Sequence, residues 1–326
     1  MWSKRPFIKT LALTLAGWAL AGTALAQSPA KPLRMIVAFA PGGPVDFVAR
    51  TLAEPLSREL GRTVIVDNKP GANGAIGASE TLRADPDGSV VWLTSVGAAA
   101  INVSLYDKLS YDMARDFAPV SLVANNVELF VAAANHPARD AADFVSRARA
   151  MKPAPAIASS GTGSIPHLAL LQLQDATRID FLHVPYNGMA PALTDLLGGQ
   201  VAGVFADVPA VMSQVKGGRL KALGIAARQR HPGLPEVKTF EELGMAAVDT
   251  NNWYALFVSA RTPRPVIDAL NAGVRRALAD AAASAKLLQS GAEPKASSPE
   301  ELAALLKSDT DKWAQLIKSR NIKAAP

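Results

Sequence analysis

Met35-Ile-Val-Ala-Phe39, then Ala40-Pro-Gly-Gly-Pro-Val-Asp46, then the apolar series Val48, Leu52, Leu56 and Leu60 decide the reading of this chain. A short uninterrupted apolar run that ends at a Pro/Gly turn is the pattern of a buried strand. Apolar residues at every fourth position are the pattern of a helix with one face on a core. The stretch is therefore strand, turn, helix. Gly61 stops the helix, and Pro55 inside it predicts a bend.

The same grammar extends outward. Val64-Ile-Val66 reads as a second strand, Asn68-Lys-Pro-Gly-Ala-Asn-Gly74 as a loop into a helix from residue 75, and Val90-Val-Trp-Leu93 as a third strand ending in Thr94-Ser-Val-Gly97. Leu129-Phe-Val-Ala132 leaves this unit, and the pattern restarts. Helices are expected over 141–151, 165–175, 190–197 and 208–216, and strands over 156–158, 181–184, 201–205 and 220–226. Residues 253–258 form a second crossing strand, after which only helices are expected, over 265–283 and 299–320. Alternating strands and helices give an α/β fold of mainly parallel sheets flanked by helices. Two such units with two crossings give two lobes: lobe I over 27–131 and 252–326, lobe II over 132–251. The crossing strands form the hinge, and the cleft lies where strand ends of both lobes face each other.

Residues 1–26 read as a secretory leader. Lys4, Arg5 and Lys9 precede an apolar run over 11–25, and Ala24-Leu-Ala26 offers small residues for cleavage near Ala26. The location is then periplasmic. The chain has 326 residues, no cysteine and a formal charge of +6, three positive charges of which belong to the leader. Without cysteine there is no disulfide, thiolate metal site or thiol nucleophile. The remaining excess is spread out, without basic runs interleaved with aromatics, so no nucleic-acid partner is expected.

Four loops after strands could carry chemistry: 40–46, 94–97, 159–164 and 185–188. Each is rich in Gly or small hydroxyl residues, and all but 94–97 clearly open a helix. Glycine lets the backbone approach a ligand, and the free N–H groups of a helix's first turn favour an anion. No Lys or Arg lies between Phe39 and Phe47 or between Ala158 and Leu170. An anion held there rests on amides, hydroxyls and water, which suits a carboxylate better than a polyphosphate. Ser164 and His167, with Asp207, also allow a hydrolase triad, although G-x-S-x-G is absent and Ser164 stands where a helix N-cap is expected. His167 either donates to a ligand oxygen or satisfies a buried carbonyl. Asp46 either holds its own loop or receives a ligand amino group. His136, His167, His183 and His231 lack paired-ligand spacing, so no metal and no cofactor are expected.

Taken together, Ile36-Val-Ala-Phe-Ala-Pro-Gly-Gly-Pro-Val-Asp46, Asn68-Lys-Pro-Gly-Ala-Asn-Gly74, Asp116-Phe-Ala-Pro-Val-Ser-Leu122, Ser160-Gly-Thr-Gly-Ser164 with His167, His183-Val-Pro-Tyr186 and Pro191-Ala-Leu-Thr-Asp-Leu-Leu-Gly-Gly-Gln200 resemble the Bug family. These are periplasmic receptors of tripartite tricarboxylate transporters, and the resemblance runs over about residues 32–322. It implies a two-lobed type II periplasmic-binding-protein fold without metal or cofactor; a monomer that is not an enzyme is expected. It also implies a di- or tricarboxylate, acidic amino acid or aromatic carboxylate as ligand, and large and small membrane subunits as partners. The positions it points to are Pro41, Gly42, Gly43 and Asp46 on one lobe and Gly161, Thr162, Gly163, Ser164 and His167 on the other. Ser95, Gly97, Tyr186, Asn187, Gly188 and Asp207 complete the expected pocket. Asn187 stands where the family often has Lys, and Ala206-Asp207-Val208 replaces a more usual Asp-Asn pair. A receptor that feeds a signalling membrane protein would have the same fold and cleft, and a secreted serine hydrolase remains as a reading from another class.

Overall fold

Leu33 to Val37 is apolar except for Arg34, and its apolar members are fully buried, as a strand covered on both faces requires. This strand opens a computed structural model that describes residues 31–186 and 188–323. The expected leader and Asn187 lie outside the described residues.

In chain order the elements are β1 (Leu33–Val37), α1 (Pro44–Leu60), β2 (Val64–Asn68), α2 (Ala75–Arg83), β3 (Val90–Ser95), α3 (Asn102–Leu105), α4 (Met113–Asp116) and β4 (Phe117–Ala133). Then come α5 (Ala141–Arg149), β5 (Ala156–Ser159), α6 (Ile165–Thr177), β6 (Leu182–Pro185), α7 (Met189–Leu197), β7 (Gly203–Asp207), α8 (Val208–Lys216) and β8 (Leu220–Ile225). The chain ends with β9 (Asn251–Ser259), α9 (Arg264–Leu278), α10 (Ala281–Ser290), β10 (Glu293–Pro294) and α11 (Pro299–Ser319).

β2, β1 and β3 are parallel, and β9 joins them antiparallel to β3 and to the first part of β4. β6, β5 and β7 are parallel, and the second part of β4 lies antiparallel to β7 and β8. β4 is thus shared. Its residues through Val127 pair with β9, and from Glu128 it pairs with β7. Register shifts after Pro119, Leu122 and Phe130 bend it, since bulges increase local twist and re-aim a strand. The return crossing runs beside it, where Ala226 N–H donates to Glu128 O and Thr250 N–H to Ala226 O, both at 2.9 Å.

The central strands of both sheets are buried on both faces, while the edge strands β2 and β6 are partly exposed. Trp92, Trp253, Phe257 and Trp313 fill one face of the first sheet, and α1 and α9 pack Leu52, Leu56, Leu270 and Val274 on the other. Phe130, Phe144, Phe205 and Phe240 cover one face of the second sheet, with Ala192, Leu196 and Val211 opposite. Ile165, Leu168 and Leu171 of α6 join the Trp92 cluster, so apolar packing also links the halves.

Three features differ from the sequence reading. The helix expected over 265–283 is two helices, because the Asp280 side chain accepts from Ala283 N–H and starts α10. The short β10 pairs with β4, so the tail is not all helical. Residues 94–97 also lead into helix, through a wide turn over Gly97–Ile101 into α3. Among the described residues no helix is long and apolar enough to cross a membrane.

Candidate functional site

Four helices begin at one place. The first residues of α1, α6 and α7 line a cavity of ≈ 660 Å³, and α8 adds its N-cap Asp207 and Ala210. It is walled by Pro44 and Val45, by Ser164 and Ile165, by Gly188 and Met189, and by Asp207. That size suits a small molecule. The N-caps of α1 and α7 are Gly43 and Gly188, which bring no side chain to their first-turn amides. Such ends carry positive partial charge toward the cavity. Among the described lining residues none is Lys, Arg or His, and Asp207 is the one acidic residue.

The glycine turn after β1 is held from behind. Gly42, at φ +80°, donates its N–H to Asp46 Oδ2 at 2.9 Å, and Arg50 Nε donates to the same oxygen at 2.9 Å. Asn68 Nδ2 reaches Asp46 Oδ1 and Phe39 O, both at 3.0 Å. Burial pushes the Asp46 carboxyl up, but its bonds to Arg50, Gly42 and Asn68 outweigh that and hold it below its ordinary value. Asp46 therefore organises its own loop.

The loop after β5 is likewise self-contained. Ser164 caps α6, accepting from His167 N–H, and its hydroxyl donates to Gly161 O at 2.6 Å. His167 Nδ1 accepts from Gly163 N–H at 3.0 Å, and its ring stacks on His183 with centroids 3.9 Å apart. His183 Nε2 pairs with Ser159 Oγ at 2.7 Å. Burial, and next the His183 charge, lower the His167 pKa to about 3. His167 thus accepts from a buried amide through Nδ1 and stays neutral, which leaves the ring proton on Nε2. No hydrogen bond joins the side chains of Ser164, His167 and Asp207 to one another, so the nucleophile–base contact of a triad is missing.

Asp207, at the end of β7, ties the halves together. Asn252 Nδ2 donates to its Oδ1 at 2.7 Å and Tyr254 OH to its Oδ2 at 3.1 Å, both from β9. Its register partner on β4 is Glu128, fully buried, whose carboxyl oxygens receive no N–H or hydroxyl donor among the described residues. Burial, then the Asp207 charge, push Glu128 well above the ordinary carboxyl value. Burial also raises Asp207, moderated by Asn252, Glu128 and Tyr254. Both carboxyls are thus raised, Glu128 the further, and they titrate as one coupled pair in which burial and mutual repulsion disfavour a second negative charge.

Of the expected site residues, Ser95, Gly97, Gly161, Thr162, Ser164, Tyr186, Gly188 and Asp207 line the cavity. Pro41, Gly42, Gly43, Asp46, Gly163 and His167 stand behind the lining, in the turns that shape it. Sequence reasoning missed Gly71, Asn73 and Gly74 after β2, Tyr106 beyond α3, and Asn252 and Tyr254 on β9. The loop at 68–74 had the signal, a Gly-rich segment after a strand. Asn73 Nδ2 is bonded to Asn102 Oδ1 at 2.7 Å, which fixes that loop. Among the described residues no group of three or more His, Asp or Glu could hold a metal ion.

Two α/β halves joined by adjacent crossing segments, with a cleft at their strand ends, define a two-lobed solute-binding protein of the periplasmic-binding-protein class. Residues 48–322 match the tripartite tricarboxylate transporter family receptor. BugT of Bordetella pertussis is 33% identical over 299 residues, covering 90% of this chain and 91% of that protein. MatC of Rhodopseudomonas palustris, solved with bound malate, is 31% identical with a TM-score of 0.79, covering 89% of this chain and 99% of that one. Another R. palustris protein, solved with adipate, is 29% identical with a TM-score of 0.84, covering 91% and 100%. The chain belongs to the tripartite tricarboxylate transporter receptor family, among whose members are the Bug proteins.

Proposed function

We propose that this chain captures a small carboxylate in the cleft by hinge closure and delivers it to the large and small membrane subunits of a tripartite transporter, without catalysing a reaction. The observation that carries the reading is the convergence of helix N-termini on a cavity whose described lining has no cationic side chain. A carboxylate meets such amides directly or through water, and each end contributes about 0.3–1 kcal/mol, more when partly buried. The malate and adipate in the two R. palustris relatives support the ligand class. Ser95, Gly97, Gly161, Thr162, Ser164, Tyr186, Asn187, Gly188 and Asp207 would meet the solute, and Pro41, Gly42, Gly43, Asp46, Gly163 and His167 would shape the turns that do.

On this reading, cleavage near Ala26 releases a periplasmic protein with lobe I over 27–131 and 252–326 and lobe II over 132–251. Closure follows when the solute binds the closed form better than the open one. Thermal melts of the mature protein with a panel of carboxylates, malate and adipate included, test it. A rise in Tm with a carboxylate is expected. A rise with a neutral sugar or a cation and with no carboxylate would overturn the reading.

A further inference from the structure

Asp207 is the one acidic side chain among the described cavity-lining residues, and its surroundings fix what it can do. An ionised carboxylate offers about four acceptor sites. Asn252 takes one on Oδ1 and Tyr254 one on Oδ2. Glu128, its neighbour on β4, is fully buried and finds no N–H or hydroxyl donor for either oxygen among the described residues. Two facing carboxyls share a proton, and Glu128, which has no exposure and no other partner for its oxygens among the described residues, is the one that keeps it. That bond fills a third site. The fourth is open to a solute, because Asp207 lines the cavity.

We infer that Asp207, set in place by Glu128, selects a solute that carries an ammonium or hydroxyl group besides its carboxylate, and disfavours a second carboxylate at that position. This deepens the carboxylate reading above and rests on it. The solute's carboxylate goes to the uncapped starts of α1 and α7, where amides have positive partial charge. Its other polar group meets a fixed negative charge with one open acceptor site. A hydrogen-bond donor or a cation satisfies that site, whereas a second carboxylate meets like charge with no described lining cation to offset it. Selection thus includes a repulsive element as well as an attractive one. Glu128 acts as a positioning residue. It touches Asp207 from beneath and, being fully buried, never meets the solute.

Titration calorimetry with a matched series of short straight-chain carboxylates tests the inference. Their far ends are methyl, hydroxyl, ammonium or carboxylate. The hydroxyl or ammonium member should bind the mature protein about tenfold tighter than the matched dicarboxylate, the worth of one hydrogen bond to a charged group. Asp207→Asn keeps the size and removes the charge, so it should erase or reverse that ratio. Equal or tighter binding of the dicarboxylate by the unaltered protein overturns the inference, and so does an unchanged ratio in Asp207→Asn. If Asp207→Asn fails to fold, the ratio in the unaltered protein decides alone. The two readings fail differently: when no member of the series binds either protein, the carboxylate reading falls and takes this one with it.

Discussion

Gly163→Ala separates the strain of a turn from the contact between halves. Gly163 has φ +78°, and a Cβ built on it lies 2.3 Å from Leu105 Cδ2 and 2.8 Å from Cδ1. Gly61, which ends α1, has φ +63° and nothing within 4 Å of the same position. Alanine at either site carries the left-handed backbone cost, about 1 kcal/mol of fold stability. Only Gly163→Ala adds overpacking, about 1–3 kcal/mol. Gly163 follows β5 and Leu105 ends α3, so the clash falls on the conformer in which the halves meet. Gly163 is not among the cavity-lining residues, so the added methyl leaves the ligand's own contacts in place. Gly61→Ala should therefore lose about 1 kcal/mol in urea unfolding and keep its solute affinity. Gly163→Ala should lose about as much or more and also bind its solute about 5- to 150-fold more weakly. Calorimetry gives the affinity, and small-angle scattering with saturating solute should show Gly163→Ala more extended. If Gly163→Ala binds as tightly as Gly61→Ala, the contact is no part of the ligand-competent form and the reasoning is wrong.

His167 is neutral in the fold, with its pKa lowered from 6.5 to about 3, so the stability it contributes is complete above pH 6.5 and is lost as pH falls toward 3. Urea melts between pH 7 and 4 should fall less steeply for His167→Asn than for the unaltered protein, by up to about 1.4 kcal/mol per pH unit; parallel curves would count against it. Glu128 has the opposite sign: its raised pKa means the fold binds a proton that the unfolded chain releases, so stability is lost as pH rises above the ordinary carboxyl value of 4.5. Glu128→Gln, which keeps a donor against Asp207, should therefore gain on the unaltered protein from pH 5 to 8 and converge with it near pH 4, as read in thermal melts. Asp46→Ala leaves the Gly42 amide and the Asn68 side chain without their acceptor, and should cost about 1–3 kcal/mol together with a loss of solute affinity.

The alternation of apolar strands and four-spaced helices was legible because the central strands of both sheets, β1, β3, β5 and β7, are covered on both faces, which keeps them largely apolar. β4 was legible only at 129–132. Pro119, Ser121, Asn125 and Asn126 interrupt its pattern: the first two flank a register shift against β9 and the last two precede the change of partner from β9 to β7, so its length comes from two sets of partners that a local window cannot see. The break before α10 was hidden for a different reason. Apolar periodicity continues past Asp280, and only the cap at Ala283 interrupts it. Within the site, the glycine loops were readable because backbone groups form them. Asn252 and Tyr254 were not, since they alternate along a strand whose other residues are core. Glu128 had a signal that passed unused: one acid at the head of the apolar run Leu129–Ala132 has to find a proton or a partner once buried.

Charge alone makes this cleft a weak attractor. Two uncapped helix ends and the loosely capped α6 give about 1–3 kcal/mol toward an anion when exposed, and Asp207 opposes part of it. An arginine pair would supply more with no closure at all. The missing affinity has to come from excluding water, because the same amides act far more strongly in a low dielectric than in bulk solvent. On the proposed reading, burial of the solute between the halves is then the step that creates the binding energy, and Asp207, bonded to β9 while seated on β7, would couple that step to the chemistry of the solute's far end.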